Sequence, residues 1–218
     1  EGKNLHEEEL LNKQLHRLGK NYKLYYEKSN TLKSGQKIVD NLKEILKKDL
    51  TVLVYNFVDI LSHARTEMEM MRELASDEAA YISITKSWFL HSDLWSLLKE
   101  AASQKVKLVL TTDHGTVRVQ NAIKVVGDKA TSTNLRYKLG RNLNYNPKEV
   151  FEIRKPEDAH LPKQNVSSSF IFALNTDFLA YPNNYNHYVK YYKNTFQHGG
   201  ISLEEMLIPF VELKPIEG

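Results

Sequence analysis

Residues 51–63, which read TVLVYNFVDILSH, contain the pattern that decides the fold. The apolar run at 51–58 is typical of a strand that is buried on both faces of a parallel sheet. Asp59 follows this run directly and His63 comes four residues later. Because the next residues predict a helix over 60–74, Asp59 and His63 lie on one face of its first turn. A carboxylate and an imidazole in that position are suited to bind a divalent metal ion.

The same alternation of strand and helix patterns continues along the chain in both directions. It predicts strands at 21–26, 106–112, 116–126, 170–174 and 206–213, and helices at 1–18, 35–48 and 81–103. Strands that alternate with helices are typical of an α/β protein with a mostly parallel central sheet between helical layers. We therefore predict a layered α/β/α fold.

The domain organisation is predicted from the length of the chain and from the residues that interrupt its helix and strand patterns. The 218 residues suffice for one α/β domain, which we place at 21–218 behind an acidic helical lead-in at 1–20. Gly, Asn and Pro interrupt the chain from 127 onward, where apolar runs are few. We expect an inserted capping or substrate-binding segment at about 116–165.

Composition excludes several kinds of site. The chain has no cysteine, so disulfides, thiolate zinc sites and thiol catalysis are absent, which is consistent with a reducing cytoplasm. Any zinc must then be bound by histidines and carboxylates, as in catalytic sites. The apolar runs are only as long as a strand, so the sequence predicts no contact with a membrane.

Two further motifs carry residues that can bind metal. Asp113, His114 and Gly115 follow the predicted strand 106–112, and His198 precedes two glycines and the last strand. Sites on parallel sheets form at the carboxyl ends of the strands, so these residues are expected to meet Asp59 and His63. A set of oxygen and nitrogen ligands suits one or two divalent ions.

Each motif alone also has an ordinary structural explanation. Asp59 at the start of a helix is a common N-cap, with His63 then a surface residue. Asp113 is equally compatible with a loop position beside an incidental histidine. The combination and order of the three motifs favour the metal site.

Positive charge is concentrated between residues 116 and 148. Seven cations face one acid there, whereas the net charge of the whole chain is only +3. Arginine, lysine and an aromatic ring within this segment could bind phosphate and stack on a base. The predicted substrate-binding residues are Asn134, Arg136, Tyr137, Lys138 and Arg141. A solvated basic face is the alternative.

Taken together, the motifs resemble a known family. An Asp-x-x-x-His, a later Asp-His-Gly and a late His are similar to the metal signature of the alkaline phosphatase superfamily. The stretches LVLTTDHGTVRV, TSTNLRYKLGRNL and FQHGGISLEEMLIPF resemble the PglZ effector domain of PorX-type response regulators, as does the stretch that begins NFVDILSHARTEMEMM. This similarity runs from about residue 22 to residue 213.

The resemblance implies roles for individual residues. It assigns Asp59, His63 and His198 to one Zn²⁺, which is expected to be the better formed site, and Asp113 with His114 to a second. In the superfamily the second metal also takes an Asp from the first strand and a Ser or Thr nucleophile. Residues 1–50 contain no such pair, so the Thr nucleophile and the first βα unit are expected upstream of Glu1.

The resemblance also implies a function. It indicates a zinc-dependent phosphohydrolase, expected to be a phosphodiesterase with an oligonucleotide-like substrate, in which the residues printed here have little activity by themselves. It further implies a cytoplasmic response regulator with an upstream receiver domain, dimerisation and a link to type IX secretion. The alternative is an inactive signalling module that is stabilised by metal and works by binding a partner.

Overall fold

A computed structural model describes residues 6–29, 32–163 and 167–215 of the chain. The helices there are α1 (Glu7–Arg17), α2 (Leu32–Asp40), α3 (Leu42–Ile45), α4 (Phe57–Glu67), α5 (Glu69–Leu74), α6 (Glu78–His91), α7 (Asp93–Ser103), α8 (Tyr185–Tyr192) and α9 (Leu203–Met206), with a 3-10 turn at Pro156–Ala159. The strands are β1 (Leu24–Ser29), β2 (Leu50–Tyr55), β3 (Leu108–Thr111), β4 (Val117–Arg118), β5 (Asn121–Lys124), β6 (Tyr137–Gly140), β7 (Val150–Ile153), β8 (Ser169–Ala173), β9 (Asp177–Ala180), β10 (Phe196–Gln197) and β11 (Phe210–Leu213).

The chain divides into two compact units. The first comprises Glu1–Leu61, Leu74–Val109 and Glu212–Gly218, and the second comprises Ser62–Glu73 and Leu110–Val211. Helix α4 begins in the first unit and ends in the second.

The first unit is built around one parallel strand pair. Strand β1 pairs with β2 along six residues, and helices α2, α3 and α7 supply a core of four buried side chains, Ile38, Leu42, Ile45 and Leu97. Tyr25 and Leu53 of the two strands pack against this core. The helical spacing of the apolar residues in 35–48 thus covers a strand pair, as an amphipathic helix should.

The second unit contains a three-stranded antiparallel sheet. Strand β8 lies at its centre, between β6 and β7. In β8 the side chains of Phe170 and Phe172 join one buried cluster with Leu139, whereas Ile171 and Ala173 join another with Val150. Both faces of β8 are therefore buried, as its continuous apolar sequence predicts. Beside this sheet β5 pairs with β9 in parallel and β4 pairs with β10 antiparallel.

The layered, mostly parallel central sheet is not confirmed. The described residues form five small sheets of two or three strands, and β1–β2 and β5–β9 pair in parallel. The three-stranded sheet is antiparallel throughout, because β8 runs opposite to both of its neighbours, β6 and β7. The prediction of an α/β chain with alternating helices and strands agrees with the elements observed.

Two strands are less buried than their apolar sequences predict. All six residues of β2 are half-buried, and β3 pairs with β11 in a two-stranded sheet whose residues are mostly exposed. In a two-stranded sheet each strand keeps one open edge, so apolar composition alone does not establish burial.

The predicted capping segment contributes to the core of the second unit. Strands β4 to β7 lie within 116–165, and β6 and β7 provide both neighbours of β8. None of the described helices has the length and apolar character needed to span a membrane.

Candidate metal centre

Helix α4 carries the first motif. Strand β2 ends at Tyr55 and the helix begins at Phe57, so Asp59 lies in the first turn and is not the N-cap. His63 is one turn further along the same helix and is exposed. Its neighbour Ser62 is buried, and the hydroxyl donates to the carbonyl oxygen of Phe196 at 3.5 Å. This contact ties the helix turn of His63 to the strand that ends just before His198.

Strand β10 and a glycine set the position of His198. The strand pairs with β4, and His198 follows it at the start of a turn. Gly199 has φ +99°, a backbone conformation that side-chain-bearing residues rarely adopt. The glycine after the histidine therefore allows the chain to turn directly after the imidazole.

The loop after β3 presents Asp113 and His114. The backbone N–H of His114 donates to the Asp113 carboxylate at 3.1 Å, and the hydroxyl of Thr112 donates to the His114 carbonyl at 3.0 Å. These local bonds hold the turn in the form that the Asp-His-Gly sequence predicts. The side chain of Asp113 is 85% exposed and that of His114 is 32% exposed.

Three histidines from these separate segments converge in the second unit. The rings of His114 and His198 stack with centroids 4.0 Å apart, and the ring of His63 lies edge-on to His198 at 5.9 Å. The three residues lie far apart in the chain, so the fold brings the imidazoles together. Asp59 is one helical turn before His63.

The ring of His114 is oriented as a metal ligand requires. Its Nδ1 lies 3.1 Å from the carbonyl oxygen of Gly115, which can only accept, so the neutral ring carries its proton there and its lone pair on Nε2. A backbone carbonyl that receives the second ring nitrogen is a common partner of ligating histidines. Nε2 is also 3.7 Å from Oδ1 of Asp113. Two ligands of one tetrahedral zinc lie about 3.3 Å apart, so this pair is close to a chelating geometry.

The sequence prediction separates His114 from His198, whereas their rings are in direct contact. The donor set fits zinc, because imidazoles with carboxylates suit this ion better than harder ions such as magnesium.

Two of the predicted substrate-binding residues are buried. Arg136 is 0% exposed and Lys138 is 1% exposed, so neither belongs to a solvated basic face. The guanidinium of Arg136 forms a bidentate pair with Glu205. Burial lowers the pKa of Lys138 to about 8, and its ammonium lies 4.5 Å from the centre of the Tyr181 ring.

The other three candidates have different surroundings. The amide of Asn134 donates to the His198 carbonyl at 3.3 Å, which places this residue beside the histidines. The ring of Tyr137 lies 6.2 Å from the rings of both Phe170 and Phe172. Arg141 is half-exposed and lies 3.8 Å from a carboxylate oxygen of Asp128. A role of any of the five in substrate binding stays a prediction.

Sequence reasoning missed Glu205. The available signal was Ser202 followed three residues later by Glu205, which is the pattern of a capping box; at the start of α9 the Glu205 carboxylate accepts the N–H of Ser202. Burial by itself would raise the pKa of Glu205, but Arg136, Gly200 and Ser202 stabilise its charged form and hold the pKa below its usual value.

The chain thus combines alternating helices and strands with a cluster of histidine rings that could bind a metal ion. The chain matches the family described as the BREX system PglZ alkaline phosphatase-like domain over residues 1–213, and it therefore belongs to that family. No curated protein matches the chain. Family membership confirms the PglZ part of the resemblance and indicates a phosphoesterase type of hydrolase, whereas the response-regulator context stays a prediction.

Proposed function

We propose that this chain provides the zinc centre of a metal-dependent phosphodiesterase. The observation that supports the proposal most directly is that the His198 ring stacks on His114 and lies edge-on to His63, in a chain of an alkaline phosphatase-like family. Asp113, beside His114, adds a carboxylate to the proposed ligand set, and the sequence resemblance assigns Asp59 to it.

The chemistry proposed for this centre is ordinary metal-assisted phosphoryl transfer. A bound zinc ion would supply positive charge that stabilises the oxygens of the substrate as a phosphate ester bond breaks. The protein residues orient the ligands: the Gly115 carbonyl directs the His114 ring, and the Ser62 hydroxyl ties helix α4 to the strand before His198.

A phosphodiester substrate is supported by charge near the protein surface. Lys124, Lys129, Arg141 and Lys148 of the basic segment are exposed. A polyanionic chain carries phosphates at several points along its length, so it can interact with several exposed cations at once. A small monoester cannot, and it is therefore attracted less strongly. An oligonucleotide-like ligand is therefore the proposed substrate class.

The biological setting is proposed from the sequence resemblance alone. It comprises a cytoplasmic response regulator that has an upstream receiver domain, forms a dimer and acts in type IX secretion. The Thr nucleophile is proposed to lie in the same natural protein.

Metal analysis tests the proposed centre. The chain should retain zinc after dialysis, and His63→Ala and His198→Ala should each weaken zinc affinity about 10-fold or more, as measured by calorimetry. His187→Ala changes an exposed histidine on α8 and is the matched control, with zinc affinity unchanged. Equal zinc affinity in all four proteins would refute the proposed centre.

Hydrolysis is measured on the full-length natural protein. Bis-(p-nitrophenyl) phosphate should be hydrolysed faster than the monoester, and a chelator should abolish the reaction. Zinc binding without hydrolysis of either compound would favour the alternative, a metal-stabilised module that binds a partner.

A further inference from the structure

A buried ion pair lies next to the candidate metal centre. The Nε and Nη2 atoms of Arg136 donate to the two carboxylate oxygens of Glu205 at 3.0 and 2.9 Å, and Nη1 donates to the carbonyl oxygen of Asp177. Both side chains are almost fully buried, at 0% and 1% exposure. All three guanidinium nitrogens are thus engaged within the protein.

The carboxylate of Glu205 also holds the backbone directly after His198. Oε1 accepts the N–H of Gly200 at 2.8 Å, and Oε2 accepts the N–H of Ser202 at 3.2 Å. A Cβ atom at residue 200 would come within 2.6 Å of the same carboxylate. The Glu205 side chain therefore fixes the backbone conformation of the turn that carries His198.

Asn134 holds the same turn from the other direction. Its amide nitrogen donates to the His198 carbonyl at 3.3 Å, and its amide oxygen accepts the backbone N–H of Arg136 at 2.7 Å. A Cβ atom on Gly199 would lie 2.9 Å from the same amide nitrogen. Asn134 thus acts directly on the loop that Arg136 reaches through Glu205.

The loop of His114 is hydrogen-bonded to helix α9, which contains Glu205. The N–H of Gly115 donates to the backbone carbonyl of Glu205 at 2.9 Å. A Cβ atom at residue 115 would overlap the carbonyl oxygen of Glu204. Only glycine permits this approach, so the position of His114 depends on the position of α9.

Stability alone does not account for such a pair. Removing two charges from water costs so much that well-packed apolar side chains often replace a buried ion pair without loss of stability. An apolar pair, however, could not accept the N–H groups of Gly200 and Ser202. The charged pair has a clear use if the loop after His198 must keep one conformation.

We propose that Arg136, Glu205 and Asn134 are positioning residues that hold the His114 and His198 rings in register for one metal centre. This inference rests on the proposed function, since it assigns a purpose to the contact of the two rings. It gives Arg136 a structural task beside the site in place of direct contact with phosphate.

The test compares single and double substitutions in the whole chain. Glu205→Gln should weaken zinc affinity at least 10-fold, whereas Glu204→Gln, a change at the exposed neighbouring residue, should leave it unchanged. In the double variant Arg136→Met/Glu205→Leu the N–H groups of Gly200 and Ser202 still lack their acceptor, so the weakened zinc affinity should persist. Recovery of wild-type zinc affinity in the double variant would overturn the proposal.

A second measurement needs no metal. Stacked imidazoles shift each other's ring-proton NMR signals, so the signals of His114 and His198 in the zinc-free chain should move in Glu205→Gln and in the double variant. The signals of His187 should not move. Unchanged His114 and His198 signals would refute the positioning role even if zinc binds, whereas shifted signals in a chain that binds no zinc would refute the proposed metal function alone.

Discussion

At the scale of single residues, Arg136 and Lys138 show how burial changes the energetic effect of a charged side chain. Both belong to the basic segment, yet the structure buries them two positions apart at β6, Arg136 against Glu205 and Lys138 against the ring of Tyr181. The arginine has a bidentate carboxylate partner that compensates the loss of water. Burial of the charged lysine is less well compensated, and its pKa therefore falls to about 8.

Replacing Lys138 should stabilise the protein. Between pH 8 and 10.5 the unfolded chain binds a proton that the folded lysine does not, so the free energy of unfolding rises with pH in this window. Below pH 8 Lys138 is protonated in both states, and the full energetic cost of burying its charge remains. Lys138→Met removes it and should raise the unfolding free energy at pH 7 by about 1–3 kcal/mol, after allowance for the lost contact with Tyr181.

Denaturant unfolding at pH 7 and pH 10.5 measures this effect. The gain should shrink toward zero at the higher pH. Lys124→Met is the control, because this lysine is exposed and also lies over a tyrosine ring, at 5.1 Å from the centre of Tyr185. A gain of equal size in both variants would contradict the burial argument.

At the scale of elements, β6 and β7 change the interpretation of the segment at 116–165. Punctuation by Gly, Asn and Pro predicts an insertion, but the two short strands flank β8 and help to bury it. Leu139 of β6 is 7% exposed and packs with Phe170 and Phe172. Four-residue strands carry too little periodicity to be recognised in sequence.

Truncation of Leu139 tests whether β6 belongs to the core. Leu139→Ala should lower the unfolding free energy by about 2–5 kcal/mol, because it leaves a cavity between buried rings. Phe151→Ala, at a β7 side chain that is 48% exposed, should cost clearly less. A loss below about 0.5 kcal/mol for Leu139→Ala in urea unfolding would show that the segment is a removable insertion.

At the scale of the whole molecule, the histidines of the candidate centre belong to one of the two units. His63, His114 and His198 all lie within Ser62–Glu73 and Leu110–Val211. The first unit has its own core around Ile38 and Leu97. A ligand that binds only the folded form of a unit stabilises that unit by mass action.

Zinc should therefore protect the second unit from hydrogen exchange. At about 100 times the dissociation constant the stabilisation is about 2.7 kcal/mol, which slows exchange through unfolding of that unit about 100-fold. Peptides that cover β8 should show the effect, and peptides that cover β1 and β2 should show less. At the same zinc concentration His63→Ala should reduce the protection about 10-fold or more, because it weakens zinc affinity by that factor. Equal protection of all peptides would contradict the assignment of the site to the second unit.

Sequence predicted which segments approach one another near His198 better than it predicted the sheet. The spacing of Asp59 and His63 on one helix needs only local geometry, and the observed helix α4 contains both. The convergence of His114 with His198 was expected from strand ends, and the contact of their rings agrees with it. The order of strands in a sheet depends on contacts between distant residues, so the alternation of helices and strands predicted a mostly parallel sheet that the described strands do not confirm.

Sequence by itself determined the alternation of helices and strands, the exclusion of cysteine chemistry and the residues that can bind a metal. These depend on local periodicity and on the chemistry of single side chains. Only the tertiary structure decided that Arg136 is buried, that Glu205 is its partner and that Glu205 is hydrogen-bonded to the loops of His198 and His114. The physical reason is that burial and pairing arise from residues 69 positions apart in the chain, and no local pattern encodes such a contact.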